Sequence, residues 1–266
     1  MCIISDMKTD KKIFISGGCS FSQVPNADKT WPAHVAESLE FEKTVHTGIG
    51  AAGNTVISRL IIYAVLDALD QGYDPSDVLV GIMWSGRNRM DAYSTNPNFP
   101  HTSIPVTDHE HKNYQNPTWL RDQNRYQYLI NVNWEDPTSV MYFEHFYDSV
   151  GGMLLTLESV LKTQWFLRAK GIDYFMLEYS HDCIREGTDD LIAMPDLAPM
   201  YAEIDFSKWP CDTNMSQWVE YKQIPFSRPN DDHPSSDAHR QFVDEFVLPY
   251  IMRSMRYFNS TGYHNG

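Results

Sequence analysis

From Asp77 to Trp84 the chain reads Asp-Val-Leu-Val-Gly-Ile-Met-Trp, apolar at almost every position. A strand with one wet face alternates apolar and polar residues, so an unbroken apolar run requires cover on both faces. That requirement admits few architectures. It calls for a central strand in a sheet with helices packed above and below.

The rest of the chain supplies the partners. Lys11 to Ser16, Thr44 to Ile49 and Ile172 to Tyr179 read as further strands, the first two ending in glycines. Trp31 to Leu39 opens with Thr30 and Pro32 and has helical apolar spacing; Asn54 to Asp70 carries one broad apolar face. Gly151 to Ala169 reads as a helix, and Ser236 to Tyr257 as a last one interrupted near Pro249. Strands alternating with helices imply right-handed crossovers and a mainly parallel sheet. The expected fold class is α/β, a three-layer α/β/α sandwich.

Two stretches leave this rhythm, at about 90–148 and 185–227, rich in Asn, Pro and aromatic residues. Long structureless loops are uncommon, so both are read as functional insertions in one domain spanning 1–266. With 42% hydrophobic residues, the 266-residue chain can fill one large core.

A net charge of −14 argues against a general nucleic-acid binder, since phosphate backbones are repelled and no Lys/Arg cluster offsets this. Cys2, Cys19, Cys183 and Cys211 fit neither a zinc pattern nor a disulfide framework, and Cys19 is expected buried and reduced. Neither a signal peptide nor a run of about 20 apolar residues is seen. The expectation is a cytoplasmic protein without a membrane span.

In an open parallel sheet, ligands bind beyond the carboxyl ends of the strands. Gly17-Gly18-Cys19-Ser20-Phe21-Ser22 follows the first strand there. The glycines allow a tight turn that presents the Ser20 hydroxyl, with nearby backbone N–H groups able to receive an oxyanion. The plain alternative is a serine that caps the next segment.

Gly48-Ile49-Gly50-Ala51-Ala52-Gly53-Asn54-Thr55 follows the second strand. Gly53 can offer its N–H to the same site; Asn54 is either a further donor or an N-cap. The Gly-x-Gly-x-x-Gly spelling also matches a dinucleotide loop, but it follows a second strand and lacks an acid about twenty residues on.

After the third strand comes Ser85-Gly86-Arg87-Asn88-Arg89. These polar side chains suit an oxyanion donor or a substrate carboxylate or sugar. The alternative is a solvated loop with Arg87 and Arg89 paired to local acids. Finally, Asn230-Asp231-Asp232-His233-Pro234 precedes the last helix. An imidazole behind a carboxylate can act as a general base. A metal set of Asp231, Asp232, His233 and His239 is a competing reading.

The four stretches, in this order, resemble the sequence blocks of the SGNH (GDSL-like) hydrolases. The resemblance covers the first third of the chain and its C-terminal part. Gly18-Cys19-Ser20 stands where that family often has Gly-Asp-Ser, Gly53-Asn54-Thr55 matches the second block, and His233-Pro234 the last. Two departures stand out. The third block keeps only Gly86 and Asn88 of Gly-x-Asn-Asp, and the family's usual acid position holds Asn230.

What the resemblance implies is a flavodoxin-like sheet of the SGNH type and a two-step esterase mechanism. Ser20 would be nucleophile, His233 base and Asp231, or else Asp232, the orienting acid. Ser20, Gly53 and Asn88 would form the oxyanion hole, with Ser85 as fallback to Asn88. No metal or cofactor is required. The substrate expected is a short acyl ester, such as an O-acetyl group on a glycan. Aromatics of the first insertion (Tyr93, Phe99, Tyr114, Trp119, Tyr126, Tyr128, Trp134) either stack on it or pack the insertion's own core. A catalytically decayed binding module and a nucleotide-binding protein are the competing classes.

Overall fold

The computed structural model describes residues 9–23, 29–93, 127–131, 135–180, 182–185, 189–227 and 232–260. Its strands are β1 (Ile13–Gly17), β2 (Lys43–His46), β3 (Val78–Trp84), β4 (Arg89–Tyr93), β5 (Gln127–Asn131) and β6 (Asp173–Glu178). Its α-helices are α1 (Trp31–Leu39), α2 (Asn54–Asp70), α3 (Pro137–His145), α4 (Ser149–Lys170), α5 (Asp189–Ile192), α6 (Ala198–Ala202), α7 (Met215–Lys222), α8 (Ser236–Phe242) and α9 (Leu248–Ser260).

Four strands form a sheet in the order β2-β1-β3-β6, every pairing parallel. The apolar run that predicts a doubly covered strand is β3, buried along its whole length. Its side chains divide by period two. Val78, Val80, Ile82 and Trp84 join Ile13, Ile15, α2 and α4 in one core. Leu79 and Met83 join Phe14, Phe175, Trp31, α8 and α9 in another. The fold is α/β, with helices on both faces of the parallel sheet.

The long C-terminal helix pattern is interrupted as expected, one turn before Pro249. There Val243–Val247 forms a π-helical turn between α8 and α9. Proline lacks the N–H that residue 245 would accept from, and its ring crowds that carbonyl, so a widened turn relieves both.

The two stretches read as insertions have more regular structure than expected. β4 and β5 pair antiparallel beside the main sheet. Residues 94–126, holding Phe99, Tyr114, Trp119 and Tyr126, lie outside the described residues, as does Trp134. The second stretch packs into the body of the protein. Leu197, Ile204 and Trp209 are buried in the α2–α4 core, and Met215, Trp218 and Val219 in the other. Two tryptophans and a few aliphatic residues of this stretch therefore extend the core, while its prolines do not, and scattered apolar spacing hid this because its helices are short.

Among the described residues, no helix is long and apolar enough to cross a membrane.

Candidate functional site

Because β1, β3 and β6 run parallel, their carboxyl ends open on one edge. Ser20 stands there, first in a 3-10 turn Ser20–Ser22 that follows β1. Its side chain is half-buried, and its hydroxyl has no protein hydrogen-bond partner among the described residues. Ser22 differs. It is buried, and its Oγ accepts from Trp31 Nε1 at 2.8 Å, which ties the turn to α1. Of the two serines, only Ser20 is presented.

The glycine-rich loop after β2 leans on this turn. Ile49 N–H donates to the Gly18 carbonyl at 3.0 Å. A Cβ at Gly48 would lie 2.6 Å from the Ser22 carbonyl oxygen, so this glycine admits the protein's own backbone. Gly53 is the N-cap of α2, and a Cβ there would come 2.4 Å from the Arg89 carbonyl oxygen. The second and third blocks thus touch through a position that accepts only glycine.

Asn54 is neither an N-cap nor a free donor; it is the first residue of α2 and is buried. Its Oδ1 accepts from Ser85 N–H at 2.7 Å, while Nδ2 donates to the Ser85 carbonyl at 2.9 Å and to Thr156 Oγ1 at 3.1 Å. Both ends of the carboxamide are spent on holding the chain beyond β3.

Asn88 lines a narrow cleft with Thr55, Arg87, Arg89, Tyr142, Tyr147 and Gly152; the cleft's lining includes neither Ser20 nor His233. Ser85 is buried, and its Oγ accepts from Arg89 Nη1 at 3.1 Å.

His233 reaches the first block through an aromatic contact. Its ring lies 5.4 Å from that of Phe21, the neighbour of Ser20. The loop is anchored by Ser227 N–H donating to the His233 carbonyl at 3.0 Å and by the Ser235 Oγ cap on α8. His233 is 42% exposed at its side chain, and Asp232 Oδ1 lies 3.2 Å from its Nδ1. Asp232 itself is 89% exposed, so the pair is solvated. Asp231 lies outside the described residues.

His239 sits on the other side of Phe21, with ring centroids 6.3 Å apart. Burial, then the nearby His34 and His233, push its pKa down to about 3, so it stays neutral where His233 is solvated. Among the described residues, no group of three or more His, Cys, Asp or Glu could hold a metal ion.

Two side chains at this edge were not singled out as site residues in the sequence. Tyr179 follows the last residue of β6, and its ring meets Phe21 edge-on at 5.1 Å. Arg89 lies 4.7 Å over the Tyr179 ring and donates Nη2 to its hydroxyl at 3.2 Å. The alternative reading paired Arg87 and Arg89 with acids in a solvated loop; neither forms an ion pair among the described residues, and both are half-buried. Arg87 Nη1 instead donates to the Asp182 backbone carbonyl at 3.4 Å. The signal available was position alone: each stands just beyond the carboxyl end of a strand.

A parallel α/β sheet with reactive side chains at its carboxyl edge defines the class. The chain belongs to a family of unknown function, DUF6071, whose model matches residues 22–261. The match takes in the second, third and last blocks and starts two residues after Ser20. No curated protein and no solved structure matches the chain.

Proposed function

We propose that the protein is a serine hydrolase of SGNH-like type that cleaves short acyl esters, with Ser20 as nucleophile and His233 as base. The observation that carries this reading is the Phe21–His233 ring contact, which joins the turn of Ser20 to a loop more than two hundred residues away. The sequestering of Ser22 and His239 supports it, because each lies beside a candidate that keeps access to solvent, Ser20 and His233.

In this mechanism Ser20 Oγ attacks the ester carbonyl and His233 takes its proton, later returning it to the leaving alkoxide. Water then releases the acyl group by the reverse use of the same base. Asp232 meets Nδ1 of His233, so it joins Asp231 as a candidate for orienting the imidazole. Backbone N–H groups of Ser20 and Gly53 would receive the oxyanion, with Asn88 or Ser85 as the further donor; loss of one donor typically costs about 100-fold in rate. An O-acetyl group on a glycan fits the short acyl chain proposed.

Labelling with a fluorophosphonate probe tests the reading. Wild type should label, and Ser20→Ala and His233→Ala should not. A folded wild-type protein that shows no Ser20-dependent labelling refutes it.

A further inference from the structure

Arg89 is placed unlike Arg59 and Arg185, which meet carboxylates, and unlike Arg87, which does not stack on Tyr179. Its backbone is fixed, the N–H donating to the Gly86 carbonyl at 3.3 Å and the carbonyl packed over Gly53. Its guanidinium is fixed as well, by the Ser85 hydroxyl at 3.1 Å, the Tyr179 hydroxyl at 3.2 Å and the face of the Tyr179 ring. All three partners are neutral. Arg59, by contrast, meets Asp91 at 2.5 Å, and Arg185 meets Glu178 at 3.3 Å.

A half-buried cation that, among the described residues, lacks a carboxylate within ion-pair distance is costly to maintain in a chain with 35 Asp and Glu to choose from. Of the five N–H donors on a guanidinium, two are used here, and the planar fork is held ready for a bidentate acceptor. Arg89 also lines the Asn88 cleft, and its guanidinium connects that cleft to the Ser20 edge through Tyr179. Tyr179, under the guanidinium, packs edge-on against Phe21, the residue directly after Ser20. Burial opposes the charge of Arg89, but nearby acidic groups, the Asp182 carboxylate among them, raise its pKa above the ordinary arginine value, so the side chain is cationic at working pH.

We propose that Arg89 binds an oxyanion substituent, a carboxylate or a phosphate, on the ligand that occupies the Ser20 edge. This rests on the hydrolase reading only for the statement that the ligand is an ester. The substrate class becomes an acyl ester with an acidic group near the scissile bond.

The test is binding first and turnover second. Succinate and inorganic phosphate are titrated calorimetrically at low ionic strength into the wild type, Ser20→Ala, Arg89→Gln, Arg89→Lys and Arg87→Gln proteins. At least one anion should bind wild type and Ser20→Ala, and the tighter of the two identifies the substituent. Arg89→Gln should weaken it by about 10- to 100-fold, as expected when a charge-assisted hydrogen bond is lost. Arg89→Lys, which keeps the charge but not the fork, should fall between, and Arg87→Gln should bind like wild type. If Arg89→Gln does not fold, as judged by circular dichroism, the Arg89→Lys comparison decides. Neither anion binding, or equal weakening by Arg87→Gln, overturns the proposal.

In the turnover arm, Arg89→Gln should raise KM for an aryl hemisuccinate relative to an aryl acetate by a similar factor. Intact anion binding without Ser20-dependent turnover would refute the hydrolase alone. Ser20-dependent turnover with anion binding unchanged in Arg89→Gln would refute the role of Arg89 alone.

Discussion

The Asn54 carboxamide bonds both polar groups of the Ser85 backbone, accepting from its N–H at 2.7 Å and donating to its carbonyl at 2.9 Å. This imitates a sheet pairing at the point where β3 gives way to the third block. Removing it strands a buried donor and a buried acceptor, each costing about 1–3 kcal/mol. Asn54→Ala should therefore lower unfolding free energy by about 2–4 kcal/mol in urea titrations, with m unchanged. Asn54→Asp should be at least as damaging, because an oxygen would then face the Ser85 carbonyl.

Gly53 lies beneath the Arg89 carbonyl, and the atoms a Cβ would strike are backbone atoms that cannot swing aside. Gly53→Ala should destabilise by about 1–3 kcal/mol, the usual range for overpacking. It should also displace Arg89, so weaker anion binding should accompany the lower Tm.

The two serines of the first turn should separate function from stability. Ser22→Ala leaves the buried Trp31 indole N–H without its acceptor and should cost about 1–3 kcal/mol while fluorophosphonate labelling persists. Ser20→Ala should abolish labelling with little change in Tm, since its hydroxyl has no protein partner among the described residues. The reverse pattern would assign the nucleophile to Ser22.

Burial holds His46 and His239 neutral, with pKa values of about 3. An unfolded histidine takes a proton near pH 6.5, so between about pH 6.5 and 3 the unfolded state holds more protons than the folded one. Stability is then full above about pH 6.5 and falls as pH drops, by about 1.4 kcal/mol per pH unit for each histidine. Urea titrations between pH 7 and 5, above the range where most carboxylates titrate, should show this slope. His46→Asn should remove its own share and leave those of His239 and of His34, whose pKa burial also lowers. A flat profile over that window would contradict the buried, neutral state.

The sequence carried the frame of the molecule clearly. Trp31–Leu39 and Asn54–Asp70 are helices with the ends that Pro32 and the apolar spacing imply, although neither is closed by a side-chain cap. The run at Val78–Trp84 implied helices on both faces, and the division of its side chains between two cores bears that out. The segment 185–227 was harder. Its helices are short, the longest being α7 (Met215–Lys222), so no periodic stripe announces that Trp209 and Trp218 are core residues. Asn54 was legible as a polar residue at a helix start, but its partners lie 31 and 102 positions away, and no local pattern encodes them.

The amino-acid sequence by itself determined the layers and the order of elements, and put Ser20, Gly53 and the third block at one end of the strands. It could do so because apolar periodicity and turn chemistry act over a few residues. Only the tertiary structure decided which groups at that end are buried and which reach solvent. Ser22, Asn54 and His239 are taken up by burial and long-range bonds; Ser20 and His233 keep access to solvent, and Arg89 is fixed by neutral neighbours. Those outcomes depend on contacts between residues far apart in the chain, where desolvation and hydrogen bonding, rather than residue type, set what a side chain can do.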